Sequence, residues 1–370
     1  MTYTLSAEQL EMSAAVADFL DKRSPESEVR RLMEAGGAPD PAVWAQLTDQ
    51  LGLTGLLIPH EYGGGGFGFL DFALVAEKTG ASLLVAPLLS TVMASCAVVL
   101  SSSEELKAQW LPALASGKKT VTLALAEESG SWDASAVTTT VSQDEGALQL
   151  TGTKMYVIDG QHADLFIVSA VSADGSVGLY AVRSDSSGVE LTALETLDQT
   201  RPQARVRFEE VPAVALTDSA SGAATLERVV AIAGVLLSAE QVGGAQRCLD
   251  MAVEYAKVRV QFGRPIGSFQ AIKHKCADML LDVESARSAA YHAAAVLDGH
   301  EDPAIASTLA SAHCSTTYTK VAGENIQIHG GIGFTWEHPA HLYYKRAKTS
   351  ELLFGDPAWS RERLAVLVGI

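Results

Sequence analysis

Three long helical stretches close this sequence and decide its architecture. Residues 226–258 run for more than thirty positions without a proline, residues 266–299 are nearly as long, and residues 303–329 make a third. Long helices that follow one another do not belong to a doubly wound sheet, in which strands and helices alternate. What precedes them is different in kind. Between about 120 and 211 the chain is rich in Val, Thr, Gly and Ser, and it alternates in stretches such as Ala147-Leu148-Gln149-Leu150-Thr151-Gly152. Short strands are expected at 121–126, 136–142, 148–157, 165–170, 178–182 and 204–209. That near-regular spacing is the pattern of a small β-barrel or sandwich.

Residues 1–118 read as helical again. Ser6 and Gln9 stand in capping-box spacing before Leu10, and apolar residues recur at helical intervals up to Arg23. Pro41 opens a second helix running to Leu51, and 67–79 and 83–100 read as buried helices with a break at Pro87. Residues 104–111 form an amphipathic helix that Pro112 is expected to stop. The expectation is an α+β chain in three parts: an N-terminal helical domain (1–118), a middle β-domain (119–221) and a C-terminal helical bundle (222–370).

Composition narrows the function classes. With 48% hydrophobic residues over 370 positions, the chain can bury a large core and is not disordered. A formal charge of −17 with no basic block excludes nucleic acid as a partner, since an acidic surface repels phosphate backbones. Cys96, Cys248, Cys276 and Cys314 lie far apart, which suggests a reducing compartment. The N-terminus has neither a basic nor an apolar leader region, and the charge-free run 79–103 is interrupted by Gly80 and Pro87. A cytoplasmic location with no membrane span is expected.

Several features carry little chemistry of their own. The Gly63–Gly66 loop lacks the lysine and hydroxyl of a phosphate-binding loop and reads as a tight turn. His338 and His341 lack a third ligand nearby, so no metal site is expected. No GxSxG elbow is present.

Two segments are denser. Residues 259–270 read RVQFGRPIGSFQ, a helix end and turn bearing Arg259 and Arg264. Guanidiniums beside polar side chains suit a pyrophosphate. Residues 327–339 read QIHGGIGFTWEHP, where three glycines in four positions let a flat ligand or another backbone approach closely. Taken singly, each is also compatible with an ordinary helix end.

Together, and in this order, the two segments resemble the signatures of the acyl-CoA dehydrogenase family, and the resemblance spans essentially the whole chain. It implies FAD as cofactor, an acyl-CoA thioester as substrate and an electron-transfer flavoprotein as acceptor. It also implies a homo-oligomer, most simply a dimer of dimers, or a heteromer with a related chain. By this resemblance Arg259 clasps the FAD pyrophosphate with Gln261 and Phe262 beside it, and Gln270 contacts the adenosine part. Gln327, Gly330 and Gly331 close over the adenine–pyrophosphate end from a neighbouring subunit. Residues 153–160 resemble the family strand that flanks the flavin, which places Tyr156 and Ile158 against the isoalloxazine ring. Ile158 replaces the family's usual threonine and removes a hydroxyl. Residues 126–133 match the family's flavin- and thioester-facing loop only in part, with Ala126 for its threonine and Glu128 for its proline.

The larger departure concerns the base. The reaction needs a carboxylate to take the α-proton while hydride leaves Cβ. The position at which most relatives carry that glutamate holds Phe354, and the position used by a minority holds Ala233. Glu240 lies seven residues beyond Ala233, on nearly the same helix face, and is the only ionisable side chain between Val229 and Gln246. It is the leading candidate, with Glu227 and Asp356 as alternatives. Two competing readings remain open: a non- or half-catalytic subunit of a heteromeric enzyme, and a flavin oxidase with Asp356 as base. Ala231, Ala233, Gly234, Ser238, Ala239, Gly243 and Gly244 suggest room for a bulky acyl group.

Overall fold

The computed structural model describes residues 4–144, 146–299 and 302–370. Residues 1–3 of the stretch read for a leader lie outside them. Six helices come first: α1 (Ala7–Arg23), α2 (Glu26–Glu34), α3 (Pro41–Ala45), α4 (Phe69–Ala81), α5 (Leu88–Val99) and α6 (Glu104–Ala115). Seven strands follow: β1 (Val121–Ala124), β2 (Thr140–Asp144), β3 (Ala147–Ile158), β4 (Leu165–Val171), β5 (Val177–Arg183), β6 (Val189–Ala193) and β7 (Gln203–Ala215). The chain ends with α7 (Gly222–Val258), a hairpin of β8 (Val260–Gln261) and β9 (Arg264–Pro265), and α8 (Gln270–Asp298), α9 (Ala304–His329), α10 (Ala340–Leu352) and α11 (Pro357–Leu367).

These elements condense into two compact units. One gathers the residues up to Arg31 with 69–84 and 234–370, and the other holds 32–68 and 85–233. In the first, α9 packs against α8, α10 and α11. Val242, Ala286, Ala290 and Cys314 form a core of small side chains that lets α7, α8 and α9 approach closely. α1 starts where the sequence placed it. The Ser6 hydroxyl accepts from the Gln9 N–H at 3.1 Å, and the Gln9 side chain accepts from the Ser6 N–H at 2.9 Å. The crossing of α4 and α7 is tighter still. A Cβ on Gly80 would lie 1.9 Å from the Glu240 carbonyl oxygen, and one on Gly243 would lie 1.7 Å from that of Glu77.

In the second unit the seven strands close on themselves. The order is β1-β4-β2-β3-β7-β5, β4 also pairs with β5, and β6 pairs with β7. β4 runs parallel to β1 and antiparallel to β5, so the sheet is a small barrel rather than an open sandwich. Its interior is filled from alternate positions by Phe166, Val168, Val182, Val206 and Phe208, with the two phenyl rings edge to face at 6.1 Å.

Several details differ from the sequence expectation, among them the strand expected at 136–142, which forms only from Thr140, and the helix α2, which was not expected. Pro112 does not stop α6, which continues to Ala115. The only acceptor that loses its donor is the carbonyl of Ala108, an exposed residue that water can serve. The helix expected to open at Pro41 is a short α-helical segment, α3, that widens into a π-helical turn at Gln46–Gln50. β6 escaped notice because four of its five residues are exposed, leaving little apolar alternation to read. The start of the stretch read as 266–299 is a separate 3-10 turn at Ile266–Ser268. Among the described residues, one helix, Gly222–Val258, is long and apolar enough to cross a membrane, but 67% of its apolar window is buried within the protein. The charge-free run read for a span forms only the twelve-residue buried helix α5 in its central part.

Candidate active site

The two motif segments meet within the helical unit. α7 ends at Val258, and the chain turns back through β8 and β9, pairing Val260 with Pro265 and Gln261 with Arg264. Phe262 (φ 52°) and Gly263 (φ 76°) form the turn, both in the left-handed region that a two-residue hairpin of matching twist requires. The turn holds Phe262 91% exposed, with its ring edge-on to Phe269 at 6.0 Å. The Arg264 guanidinium lies 4.1 Å above the Phe269 ring, so this arginine is already engaged.

The other segment follows α9. His329 is buried, stacks on Tyr255 at 4.3 Å and lies 4.2 Å from His338. Its Nδ1–H donates to the Asn325 carbonyl at 2.8 Å, which leaves Nε2 as the acceptor. Burial pushes the His329 imidazole below its ordinary range against that hydrogen bond, and burial and then the neighbouring His329 do the same to His338. The Tyr255–His329 stack thus fastens the end of α7 to the end of α9. Beyond it, Gly330 (φ 66°) turns the chain into a loop whose Phe334 and Trp336 are 77% and 61% exposed.

The polar side chains of the two segments are unspent. Arg259, Gln261, Gln270 and Gln327 are exposed, and their side chains make no hydrogen bond or ion pair among the described residues. On the turn after α7, a guanidinium and two carboxamides with free N–H groups fit a ligand that offers phosphate oxygens and the polar edge of a heterocycle, while Gln327 stands apart on α9. Nothing lies within 4 Å of a Cβ built on Gly330 or Gly331, so the loop leaves open space there.

The barrel unit holds the other expected flavin residues. β3 bulges between Lys154 and Val157, and Tyr156 takes φ 57° at that irregularity. The bulge turns Tyr156 outward to 39% exposure while Ile158 is 7% exposed, so the two do not present equal faces. The Thr122 hydroxyl donates to the Ile158 carbonyl at 2.6 Å. Sequence reasoning missed Lys154 and Glu127. Lys154 is fully buried, and its ammonium donates to Glu127 at 2.7 Å, to Ser169 Oγ at 2.9 Å and to the Leu125 carbonyl at 3.1 Å. The available signal was a lysine on the core face of an otherwise alternating strand.

The three carboxylates considered as base stand in different surroundings. Glu240 is 5% exposed, with Oε1 3.4 Å from Arg346 NH1, and Arg346 is itself 2% exposed. Asp356 is exposed and caps α11, accepting from the Trp359 N–H at 2.7 Å. Glu227 is exposed near the start of α7, thirteen residues or about 20 Å of helix from Glu240. Phe354 (φ 59°) is buried beside Leu353. The small residues read as room on α7 are in part already filled. A Cβ on Gly234 would meet Ser311 Oγ at 2.8 Å, and one on Gly244 would meet the Tyr318 ring at 2.3 Å.

Comparison with known proteins agrees with these signatures. Residues 6–118, 122–211 and 221–366 match the N-terminal, middle and C-terminal domains of acyl-CoA dehydrogenase. The acyl-CoA dehydrogenase IpdE2 of Mycobacterium tuberculosis is 35% identical over 94% of this chain and 93% of its own length. A solved Tcur3481-Tcur3483 steroid ACAD variant superposes with a TM-score of 0.90 at 29% identity, covering 99% of this chain and 98% of its own. A chain of the ChsE4-ChsE5 complex of M. tuberculosis does so with a TM-score of 0.91 at 27% identity, covering all of this chain and all of its own length. With three matching domains in the family's order and the two signature segments joined through the Tyr255–His329 stack, this chain belongs to the acyl-CoA dehydrogenase family of FAD-dependent oxidoreductases.

Proposed function

We propose that the chain takes part in FAD-dependent α,β-dehydrogenation of an acyl-CoA thioester to the trans-2,3-enoyl product, with electrons passed on to an electron-transfer flavoprotein. The observation that carries this reading is the unspent donor set on the α7–β8–β9–α8 turn, fastened to the glycine loop by the Tyr255–His329 stack. Arg259 and Gln261 would hold the pyrophosphate, with Phe262 beside them and Gln270 toward the adenosine. Gln327, Gly330 and Gly331 would close over the adenine end of a neighbouring copy's cofactor. Tyr156 would stand at the flavin face, with Ile158 behind it. FAD, when bound, supplies the acceptor for the hydride that leaves the β-carbon.

The chain's remaining task is to remove the α-proton and hold the thioester. Glu240 stays the first candidate in this chain for the proton, ahead of Glu227 and Asp356. A specific observation, however, favours a second reading. Phe354 is buried where most relatives carry the glutamate, Glu240 balances a buried guanidinium, and Asp356 serves as a helix cap. In this reading the base comes from a related chain, and the protein is one half of a heteromeric dehydrogenase. The similarity to the ChsE4-ChsE5 complex and to Tcur3481-Tcur3483 supports it, and the second of these suggests a polycyclic acyl group. The cap on Asp356 speaks against the flavin-oxidase alternative.

Bound FAD per chain and anaerobic bleaching of the flavin band by a panel of acyl-CoAs decide between the readings. The measurement is made on the chain alone, on Glu240→Gln, and after co-expression with an acyl-CoA dehydrogenase chain that retains its glutamate. Bleaching by the chain alone that vanishes in a Glu240→Gln chain that stays folded and keeps its FAD makes the protein self-sufficient with Glu240 as base. Bleaching only in the co-expressed pair establishes the heteromer. Absence of FAD under every condition overturns the proposal.

A further inference from the structure

Glu127 lies three residues past β1, in a loop that returns to the barrel at Thr139, just before β2. Its carboxylate closes that loop on itself. The Thr138 N–H donates to both oxygens at 3.0 and 3.1 Å, the Thr139 N–H donates at 2.9 Å, and the Thr138 hydroxyl donates as well. Ser131, Trp132 and Asp133 lie in the span so enclosed, all of them half-buried. Lys154 then fastens the closed loop to the sheet. All three of its N–H donors are used, on Glu127, on Ser169 of β4 and on the Leu125 carbonyl at the end of β1's run. One more bond, from the Met155 N–H to the Ala126 carbonyl at 2.9 Å, ties the loop's root to the residue before Tyr156.

Tyr156 needs such support. A tyrosine at φ 57° and an aspartate at φ 53° three residues later are both in a region that L-residues avoid, and such conformations persist where neighbours over-determine them. The bulge is held from both sides. Lys154 anchors it before Tyr156, and after it the Asp159 carboxylate accepts from the Ser90 hydroxyl at 2.6 Å. A buried ion pair adds little net stability over apolar side chains of the same size, but it fixes geometry because either partner left alone is costly.

We propose that Lys154 and Glu127 are a positioning pair, a latch that holds the 127–139 loop closed and fixes the strained Tyr156 bulge, and so sets the flavin-facing edge of the barrel. The assignment of that edge to the flavin rests on the function proposed above; the latch itself does not. Burial pushes the Lys154 ammonium down to about 8 against the pull of Glu127, which agrees with an ammonium withdrawn from water.

The test uses Lys154→Met/Glu127→Leu, in which both charges are replaced by apolar side chains, together with Lys154→Met and the conservative Lys154→Arg. Amide hydrogen exchange is read along the chain without added ligand, and the bound flavin's absorbance and fluorescence are read where FAD is present. The double variant is expected to keep the slow exchange of β3, β4 and β7 and to lose protection at 128–139 and 155–157. Its flavin spectrum should shift at unchanged FAD content, and the KM for acyl-CoA should rise by a larger factor than kcat falls. Lys154→Arg should restore part of the loop's protection. Loop protection left intact in the double variant overturns the latch. So does loss of loop and barrel protection together in both the double variant and Lys154→Met, which marks a purely structural pair. A wild-type chain that binds no FAD removes the function reading, and the exchange experiment still decides the latch.

Discussion

Glu240 shows how one side chain can carry a correct signal and an incomplete meaning. A single ionisable residue in an eighteen-residue apolar stretch of helix must have a partner, and that much is readable without coordinates. The identity of the partner is not, because Arg346 lies 106 residues away on another helix. Glu240→Gln is expected to cost on the order of 3 kcal/mol by removing the carboxylate that faces the buried Arg346 guanidinium. Glu240→Leu/Arg346→Met should recover most of that loss, and urea unfolding of the two variants checks the pair. Equal losses in both would mean that packing rather than charge governs the site. Glu127 makes a different prediction. Burial pushes its carboxyl up, but the Lys154 ammonium, the Thr138 hydroxyl and the Thr139 N–H outweigh it and hold the carboxyl at about 2, below its ordinary 4.5. The folded state then binds fewer protons than the unfolded state between those values. The stabilisation is complete above pH 4.5, falls as pH drops, and is gone below about 2. Thermal unfolding from pH 6 down to 3 should show wild type converging on Glu127→Gln, and a constant gap would refute the assignment.

At the scale of elements, the legible features were those written in local sequence. The Ser6–Gln9 box, the proline-free helices and most strands follow from spacing within a few residues. The glycines of α7 were legible only as small. Read along one helix, they suggested an open wall for a substrate, since sequence does not reveal what lies opposite. In the fold, Gly80 and Gly243 are a reciprocal pair of contacts in which each helix presents a glycine to the other's backbone carbonyl. Backbone cannot move aside as a flexible side chain can. Gly80→Ala and Gly243→Ala should therefore each destabilise by about 3 kcal/mol, at the upper end of overpacking costs. Gly331→Ala, where a Cβ meets nothing and φ lies outside the left-handed region, should leave the unfolding midpoint unchanged within about 0.5 kcal/mol. If the loop serves FAD, the same substitution should lower cofactor content, a contrast that stability alone would not produce.

On the scale of the whole molecule, the balance of buried and exposed apolar surface points beyond a single chain. A core helix such as α7 accounts for its own apolar residues, because most of them are covered. The signature segments do the reverse. Phe262, Phe334 and Trp336 are 91%, 77% and 61% exposed, and Val258 and Val260 beside the first of them are 71% and 54% exposed. The backbone spends a left-handed phenylalanine to display one of these rings. Large apolar side chains left this exposed are what an interface between subunits leaves uncovered when one subunit is viewed alone. On the proposed reading, the motif segments are informative in sequence while their purpose is hidden in the isolated fold, because part of what they would contact lies on another chain. Phe334→Ser and Trp336→Ser should leave the unfolding midpoint of the separated chain within about 0.5 kcal/mol of wild type, as exposed substitutions generally do. Both should shift the assembly toward smaller species in sedimentation velocity and should lower FAD per chain in step with that shift. If dissociation occurs with FAD fully retained, the cofactor site is complete within one chain. If FAD is lost without dissociation, the aromatic residues contact the cofactor directly rather than through a partner.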